Sequence, residues 1–222
     1  MSGPAARSAQ PLLQLLVDAG VLQFGDFTLK SGRSSPYFFN LGALCTGSAI
    51  QTLAQAYAAR IRAANLEFDV VFGPAYKGIP IAVATAEALS RQGRDAAWAF
   101  NRKEAKAHGE GGGFVGGNIA SRVLLVDDVL TAGTAVREAV GLIRQAGGTL
   151  VGVVIALDRQ ELGDDGTTAV EALAAELAVP VMSLLSLQDV IGYLDAEADA
   201  GKYQQDLKRR IKEYQEAYCA RA

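Results

Sequence analysis

Cysteine and histidine are scarce in this chain, which has two cysteines, Cys45 and Cys219, and a single histidine, His108. Two cysteines so far apart in sequence indicate neither a disulfide framework nor a thiolate metal cage. The one histidine has no second histidine with which to share a metal ion. These shortages predict a protein of the reducing cytoplasm, with no metal ion held tightly by the protein itself.

Long apolar runs and a strong excess of charge are also missing. No stretch is apolar over the length needed to cross a bilayer, and the N-terminus lacks the apolar run of a signal peptide. The net charge of −3 argues against broad nucleic-acid binding, although a local basic patch is compatible with it. Half of the 222 residues are hydrophobic, which is enough for a full core. We therefore expect a single domain over residues 1–222.

Short apolar runs alternate with stretches of helical periodicity from residue 46 onward. Strands that alternate with helices form a parallel sheet with right-handed crossovers. The pattern predicts an α/β fold whose core, at about 46–186, is a mainly parallel five-stranded sheet flanked by helices. The predicted strands are 70–72, 96–100, 122–126, 150–157 and 181–185. Before this core, a basic turn at 30–36 joins β-like pieces, which predicts a hairpin-like flap. Residues 12–45 and the C-terminal helices would then form a small hood.

The most informative stretch is 123–135, where a buried strand of four apolar residues is followed by Asp127 and Asp128. A turn of small residues comes next, and a helix begins near Thr134. Such a turn presents backbone N–H groups and the positive end of the helix dipole, which together bind phosphate. Two adjacent carboxylates can accept hydrogen bonds from a vicinal diol. The stretch therefore predicts a site for a ribose 5-phosphate, with both carboxylates pointing at the ligand and away from the core. The alternative is an ordinary strand, turn and helix with a solvated aspartate pair.

Two further segments are suited to anions. The glycine-containing turn 72–78 ends another strand and carries Lys77, a point charge; the alternative is an ordinary turn with an exposed lysine. The segment 101–117 is long, basic and rich in glycine, and it has no apolar face. It predicts a lid that orders over a polyanion, whereas the alternative is a disordered charged loop.

The glycines at 111–116 match the dinucleotide-binding pattern G-x-G-x-x-G. That fingerprint must follow a strand and open a helix. Here a charged loop precedes it and a strand follows it. We therefore reject a nicotinamide-cofactor site.

The strand, aspartate pair and turn at 123–135 resemble the signature of the type I phosphoribosyltransferases, which bind 5-phosphoribosyl 1-pyrophosphate (PRPP). The flap at 29–40 and the segment 156–161 are similar to those of the orotate phosphoribosyltransferase family, and the resemblance runs from about Leu12 to the C-terminal helices. It implies the type I phosphoribosyltransferase fold and transfer of the phosphoribosyl group from PRPP to N1 of orotate. The products would be orotidine 5′-monophosphate and pyrophosphate, in de novo pyrimidine synthesis.

The resemblance also implies the site residues. Catalytic roles fall on Lys103, Lys106, His108, Asp127 and Asp128. PRPP contacts fall on Lys30, Tyr76, Lys77, Arg102, Lys103, Lys106, His108, Asp127, Asp128, Val129, Leu130, Thr131, Ala132, Gly133, Thr134 and Ala135. Orotate contacts fall on Phe38, Phe39, Thr131 and Arg159. The two phenylalanines can cover a ring face, although one of them is expected in the flap core, and Arg159 can grip a carboxylate bidentately.

The resemblance further implies Mg²⁺ as cofactor, held mainly through PRPP and water, and a homodimer in which the lid 101–117 reaches the neighbouring subunit's site. Three alternatives stay open at this point. One is a phosphoribosyltransferase for a purine base, which Arg159 and the flap disfavour. Another is a regulator on the same fold that senses PRPP and binds nucleic acid, which the acidic composition disfavours. The third is a scaffold, which would leave the aspartate pair and the lid unexplained.

Overall fold

The chain forms a two-stranded sheet and a six-stranded sheet in the computed structural model, which describes residues 4–29, 32–103, 113–130, 133–199 and 205–220. The helices within these ranges are α1 Pro4–Asp18, α2 Gly47–Ala64, α3 Gly78–Arg91, α4 Thr134–Gln145, α5 Ala169–Leu177, α6 Leu187–Asp199 and α7 Gln205–Tyr218, with a 3₁₀ helix at Leu41–Ala43. The strands are β1 Leu22–Thr28, β2 Ser34–Phe39, β3 Val70–Phe72, β4 Ala97–Asn101, β5 Phe114–Gly116, β6 Arg122–Val129, β7 Thr149–Asp158 and β8 Val181–Ser186.

The large sheet has the order β5-β4-β3-β6-β7-β8, and its five predicted strands all pair in parallel. Strand β6 lies at its centre. The side chains of Leu124 and Val126 pack into one core cluster, while those of Val123 and Leu125 pack into the other. A strand buried on both faces needs a continuous apolar run, which is why this stretch shows no alternation with polar residues. The prediction of an α/β fold with a mainly parallel sheet is confirmed.

Strand β5 is the sixth strand of the sheet. It lies at the edge, antiparallel to β4, inside the segment that the sequence assigns to the lid. Phe114 pairs with Asn101, and Gly116 pairs with Ala99. A Cβ atom at Gly116 would lie 2.1 Å from the carbonyl oxygen of Trp98, so this close pairing requires glycine. Three residues are too few to show a strand period, which is why the sequence did not reveal this strand. The two ends of the predicted lid, 101–117, therefore pair as antiparallel strands β4 and β5, and its residues 104–112 lie outside the described ranges.

The hood is built on the antiparallel pair β1–β2, as predicted for the flap. The two β-like pieces expected before the basic turn belong to one strand, β1, whose register shifts between Phe24 and Phe27. Arg210 of helix α7 donates to the carbonyl of Gly25 at 3.2 Å and forms an ion pair with Asp26. The C-terminal helix thus holds the irregular part of the hood strand. Lys30 and Ser31, at the tip of the flap, lie outside the described residues.

Helix α4 begins at Thr134, where the sequence predicts it. Its buried face consists of Val136, Ala139, Val140 and Ile143, at helical spacing. This face packs in the cluster that also contains Val123 and Leu125 of β6. The start of α4 is thereby fixed at the carboxyl end of that strand. Within the described ranges, the helices are either too short or too polar to span a bilayer.

Candidate active site

The carboxyl ends of β3 and β6 lie side by side because the two strands pair in parallel, with Phe72 opposite Leu125. The turns that follow these strands carry Lys77 and the aspartate pair. The Nζ of Lys77 lies 2.9 Å from the Oδ2 of Asp128. Lys77 is about half exposed, whereas the side chain of Asp128 is largely enclosed. Two segments far apart in sequence therefore form one site, with a cation beside the carboxylates.

The turn after β3 is tight. A Cβ atom at Gly73 would lie 1.9 Å from the carbonyl oxygen of Gly78, and one at Gly78 would lie 2.7 Å from the carbonyl carbon of Gly73. Only glycine allows this approach of two backbone segments. The peptide bond between Ala75 and Tyr76 is cis. The side chains of Tyr76 and Lys77 point outward from the turn and are exposed.

The base of the lid contacts this turn. The backbone N–H of Ala75 donates to the Oδ1 of Asn101 at 2.9 Å, and the Nζ of Lys103 lies 5.0 Å from the ring centre of Tyr76. The Nε of Arg102 is buried without a hydrogen-bond partner in the described part of the chain. The structure thus brings Asn101 and Lys103 to the Lys77 turn of their own subunit. The predicted lid residues Lys106 and His108 lie outside the described ranges.

Asp127 differs from Asp128 in its surroundings. Asp127 is only 8% exposed, against the expectation that both carboxylates avoid the core. Burial raises the pKa of Asp127 to about 6, and the charge of Asp128 adds to this increase. The backbone N–H of Asp128, which donates to Asp127 Oδ1 at 2.9 Å, and the charge of Lys77 act in the opposite direction. The Tyr57 hydroxyl donates to the Asp127 carbonyl at 2.7 Å and holds the strand end in place.

The start of helix α4 has the features of an anion site. Its N-cap residue, Gly133, has a left-handed φ of 73° and offers no side chain to cap the first turn. Thr134 and Ala135 are exposed there. The side chains of Val129 and Leu130 pack against the two core clusters, so these residues have only backbone groups to offer a ligand. Thr131 and Ala132 lie outside the described residues.

The two candidate ring-covering phenylalanines separate as expected. Phe39 packs against the core, whereas Phe38 is 36% exposed and stacks on Phe27 with ring centres 5.4 Å apart. Phe38 is thus the one with a face available to a planar ligand.

Arg159 follows β7, two residues beyond Leu157, which pairs with Val129 of β6 on one side and Leu185 of β8 on the other. Its Nε donates to Glu161 at 2.6 Å, and its Nη2 donates to the hydroxyls of Ser35 and Tyr214 at 3.1 and 3.3 Å. Arg159 itself is only 6% exposed. Sequence reasoning missed the partner Tyr214, because no local pattern links a residue of α7 to the end of β7.

The chain matches the family model of the phosphoribosyl transferase domain over residues 43–167. It is 54% identical over 198 residues to an orotate phosphoribosyltransferase of Xanthomonas campestris pv. campestris (strain B100), covering 88% of this chain and 90% of the relative. The chain belongs to the orotate phosphoribosyltransferase family. This assignment agrees with the site, in which an aspartate pair, a lysine turn and an uncapped helix start converge.

Solved structures of orotate phosphoribosyltransferases are similar as well. The crystal structure of the Francisella tularensis enzyme has a TM-score of 0.82 and 35% identity, covering 95% of this chain and 100% of that one. The Mycobacterium tuberculosis H37Rv enzyme in complex with PRPP has a TM-score of 0.62 and 27% identity, covering 84% of this chain and 98% of that one. The similarity therefore extends over both the hood and the core, and the type I phosphoribosyltransferase fold is confirmed.

We expect Gly73→Ala to disrupt the lysine turn, because its Cβ would overlap the carbonyl of Gly78. The variant should lose about 1–3 kcal/mol of unfolding free energy and raise the KM for PRPP. The matched control is Gly192→Ala, on the exposed face of α6, where an added Cβ meets nothing within 4 Å. The control should gain about 0.5–1 kcal/mol. Urea unfolding and initial rates test both variants, and a Gly73→Ala protein with unchanged stability and PRPP KM would contradict this account.

We also expect Asp127→Asn to stabilise the unliganded protein at high pH. Because the folded-state pKa of Asp127 is raised to about 6, the folded protein binds more protons than the unfolded chain between about pH 4 and 6. Wild-type stability therefore falls as pH rises through that window. The asparagine variant lacks this loss and should gain on the order of 2–3 kcal/mol over wild type at pH 8, relative to pH 4.

Chemical denaturation at both pH values measures this difference. Asp164→Asn, at an exposed position, serves as the control for replacing a carboxyl by an amide. An Asp127→Asn effect that does not vary with pH would show that the carboxyl is not titrated in this window.

Proposed function

We propose that this orotate phosphoribosyltransferase binds PRPP and orotate at the carboxyl ends of β3, β6 and β7. Transfer of the phosphoribosyl group from PRPP to N1 of orotate is the function that membership of the family gives this chain. It yields orotidine 5′-monophosphate and pyrophosphate, in the synthesis of UMP. The observation that supports the placement of the site is the 2.9 Å contact between Lys77 and Asp128. It sets a cation suited to pyrophosphate next to carboxylates suited to the ribose diol.

Each part of PRPP has a matching group in this proposal. The 5′-phosphate lies at the start of α4, where residues Thr131 to Ala135 offer backbone N–H groups and hydroxyls. The ribose hydroxyls donate to Asp127 and Asp128. The pyrophosphate lies against Lys77, Arg102 and Lys103, and the flap and lid add Lys30, Lys106 and His108. The buried Nε of Arg102, which lacks a protein partner, supports its contact with an anion.

Catalysis then consists mostly of positioning and charge compensation. As the C1–O bond of PRPP breaks, negative charge moves onto the pyrophosphate and the ribose becomes cation-like. The lysines and arginine compensate the first charge, and the aspartate carboxylates stabilise the second. When pyrophosphate attracts Lys77, the Oδ2 of Asp128 becomes available to a ribose hydroxyl. At neutral pH most Asp127 is ionised, since its pKa is raised only to about 6.

We propose Mg²⁺ as the cofactor, bound mainly through PRPP and water. In the described ranges, the acidic, cysteine and histidine side chains form no group of three that could hold a metal ion. The oxygen donors of the site are Asp127 and Asp128, and Lys77 already contacts one of these oxygens. This donor set fits a hydrated Mg²⁺ that the two carboxylates hold through water. When bound, the ion would compensate charge on the pyrophosphate and polarise the ribose hydroxyls.

The assay is the loss of orotate absorbance with PRPP and Mg²⁺, compared with uracil and adenine as acceptors. We expect turnover with orotate alone among the three. Arg159→Ala should raise the KM for orotate about tenfold or more and change the KM for PRPP little, because the lost contact is to the ring carboxylate. Turnover with adenine but not orotate would refute the proposed substrate, and equal changes in the two KM values would make Arg159 structural.

We propose further that the chain is a cytoplasmic homodimer, a single domain of hood and core, whose lid serves the neighbouring site. Asn101 and Lys103 contact the Lys77 turn of their own subunit, and we therefore assign the crossing to the part of the lid that carries Lys106 and His108. The test mixes two inactive variants under subunit exchange. One carries Lys106→Ala with His108→Ala, and the other carries Asp127→Asn with Asp128→Asn.

If this part of the lid acts in trans, each mixed dimer has one intact site, and random mixing restores about a quarter of wild-type activity. If it acts within its own subunit, each site in a mixed dimer carries a defect and activity does not return. A tagged subunit that co-purifies with an untagged one confirms the exchange. Exchange without recovered activity would refute action in trans.

A further inference from the structure

Glu161 joins three separate parts of the chain beside the proposed orotate site. Its Oε1 accepts hydrogen bonds from the Nε of Arg159 and from the hydroxyl of Tyr214, both at 2.6 Å. Its Oε2 lies 3.4 Å from the Nη1 of Arg33. Arg159 follows β7, Tyr214 belongs to α7, and Arg33 belongs to the flap. One carboxylate thus links the sheet edge, the C-terminal helix and the hood.

The hydrogens of the Arg159 guanidinium can be accounted for individually. The Nε–H is donated to Glu161, and the two hydrogens of Nη2 are directed to the hydroxyls of Ser35 and Tyr214. The guanidinium carbon lies 4.2 Å from the ring centre of Tyr37, so one face of the group is covered. Only Nη1 makes no hydrogen bond within the described ranges, and it is not among the enclosed polar atoms without a partner. The Nη1 hydrogens are therefore the donors left for a ligand.

The hydroxyls around Arg159 have one consistent orientation. Tyr214 accepts from Nη2 and donates its own hydrogen to Glu161. Ser35 accepts from Nη2 and donates to the backbone carbonyl of Tyr37 at 2.7 Å. Each hydroxyl has a single hydrogen to donate. These hydrogen bonds therefore fix the side chains of Ser35, Arg159, Glu161 and Tyr214 relative to one another. The direction of Nη1 is therefore set before a substrate arrives.

The same carboxylate reaches the flap. Arg33 lies 4.6 Å above the ring of Tyr218 while it contacts Glu161. The carbonyl of Arg33 accepts the backbone N–H of Leu29 at 2.9 Å, which closes the flap turn. The segment that carries Glu161 is also bound to the end of helix α7, since the N–H of Leu162 donates to the carbonyl of Tyr218 at 2.8 Å.

We propose that Glu161 is a positioning residue for Arg159 and that the orotate carboxylate is held through Nη1 of Arg159 alone. This inference rests on the proposed contact between Arg159 and orotate. The contact through Nη1 replaces the bidentate grip expected from the sequence. A bidentate grip uses two nitrogens of the guanidinium, and the hydrogens of Nε and Nη2 are already donated within the protein. Tyr214 shares the positioning role, since it contacts both Glu161 and Nη2.

The test compares Glu161→Ala, Glu161→Gln and Tyr214→Phe with the control Glu213→Gln. Glu213 is exposed on α7 and pairs with Arg209 at 2.8 Å, away from the Glu161 network. Glu161→Ala should raise the orotate KM about tenfold, with the PRPP KM within about twofold. Glu161→Gln should have a smaller effect, because its amide oxygen can still accept from Arg159. Tyr214→Phe should raise the orotate KM several-fold, and the control should leave both KM values unchanged.

Thermal unfolding of every variant separates positioning from folding. If Glu161→Ala does not fold, Glu161→Gln and Tyr214→Phe still carry the test. Equal changes in the two KM values, or changes that follow only the loss of melting temperature, would overturn the proposal.

A double-mutant cycle with Arg159→Ala separates this inference from the proposed function. If Glu161 acts through Arg159, then Glu161→Ala should not raise the orotate KM further once Arg159 is absent. Additive effects in the double variant would overturn the positioning role. If Arg159→Ala raises the orotate KM and Glu161→Ala does not, only the role of Glu161 is refuted. If Arg159→Ala leaves the orotate KM unchanged, the contact between Arg159 and orotate is refuted together with it.

Discussion

The parallel pairing of β3 with β6 is the constraint on which the site depends. It places the turn after residue 72 beside the end of β6, so that Lys77 and Asp128 come within 2.9 Å of each other. Glycine at positions 73 and 78 lets the first turn fold back tightly enough to keep Lys77 at that edge. Helix α4 then starts at the same edge because its apolar face packs against β6. The sheet therefore brings together, from segments distant in sequence, the groups of the proposed PRPP site.

Several features of this site oppose folding and favour ligand binding. Asp127 is a buried carboxyl whose ionisation is disfavoured, and the first turn of α4 has no side-chain cap. The Nε of Arg102 is enclosed without a partner in the described part of the chain. In the proposed complex, each of these groups gains a partner from PRPP that the protein alone does not supply. Such unsatisfied groups, clustered at one edge of a well-packed sheet, are what a binding site requires.

Sequence reasoning found the parts that are encoded locally. The strand of Val123 to Val126, the aspartate pair and the start of α4 all follow from an apolar run and a small-residue turn. Strand β5 was missed because three residues at a sheet edge show no period. The burial of Asp127 and the bond between Arg159 and Tyr214 were missed because they depend on tertiary packing between elements far apart in the chain. The bidentate grip assigned to Arg159 assumed a free guanidinium, whereas most of its hydrogens are donated to Glu161, Ser35 and Tyr214.

The central claim is that one edge of the sheet holds all three parts of PRPP. A crystal structure of this protein with PRPP and Mg²⁺ tests it most directly. We expect the ribose hydroxyls within hydrogen-bond distance of Asp127 and Asp128, the 5′-phosphate at the start of α4, and the pyrophosphate against Lys77. PRPP bound elsewhere, or bound with its ribose hydroxyls turned away from both carboxylates, would contradict the account.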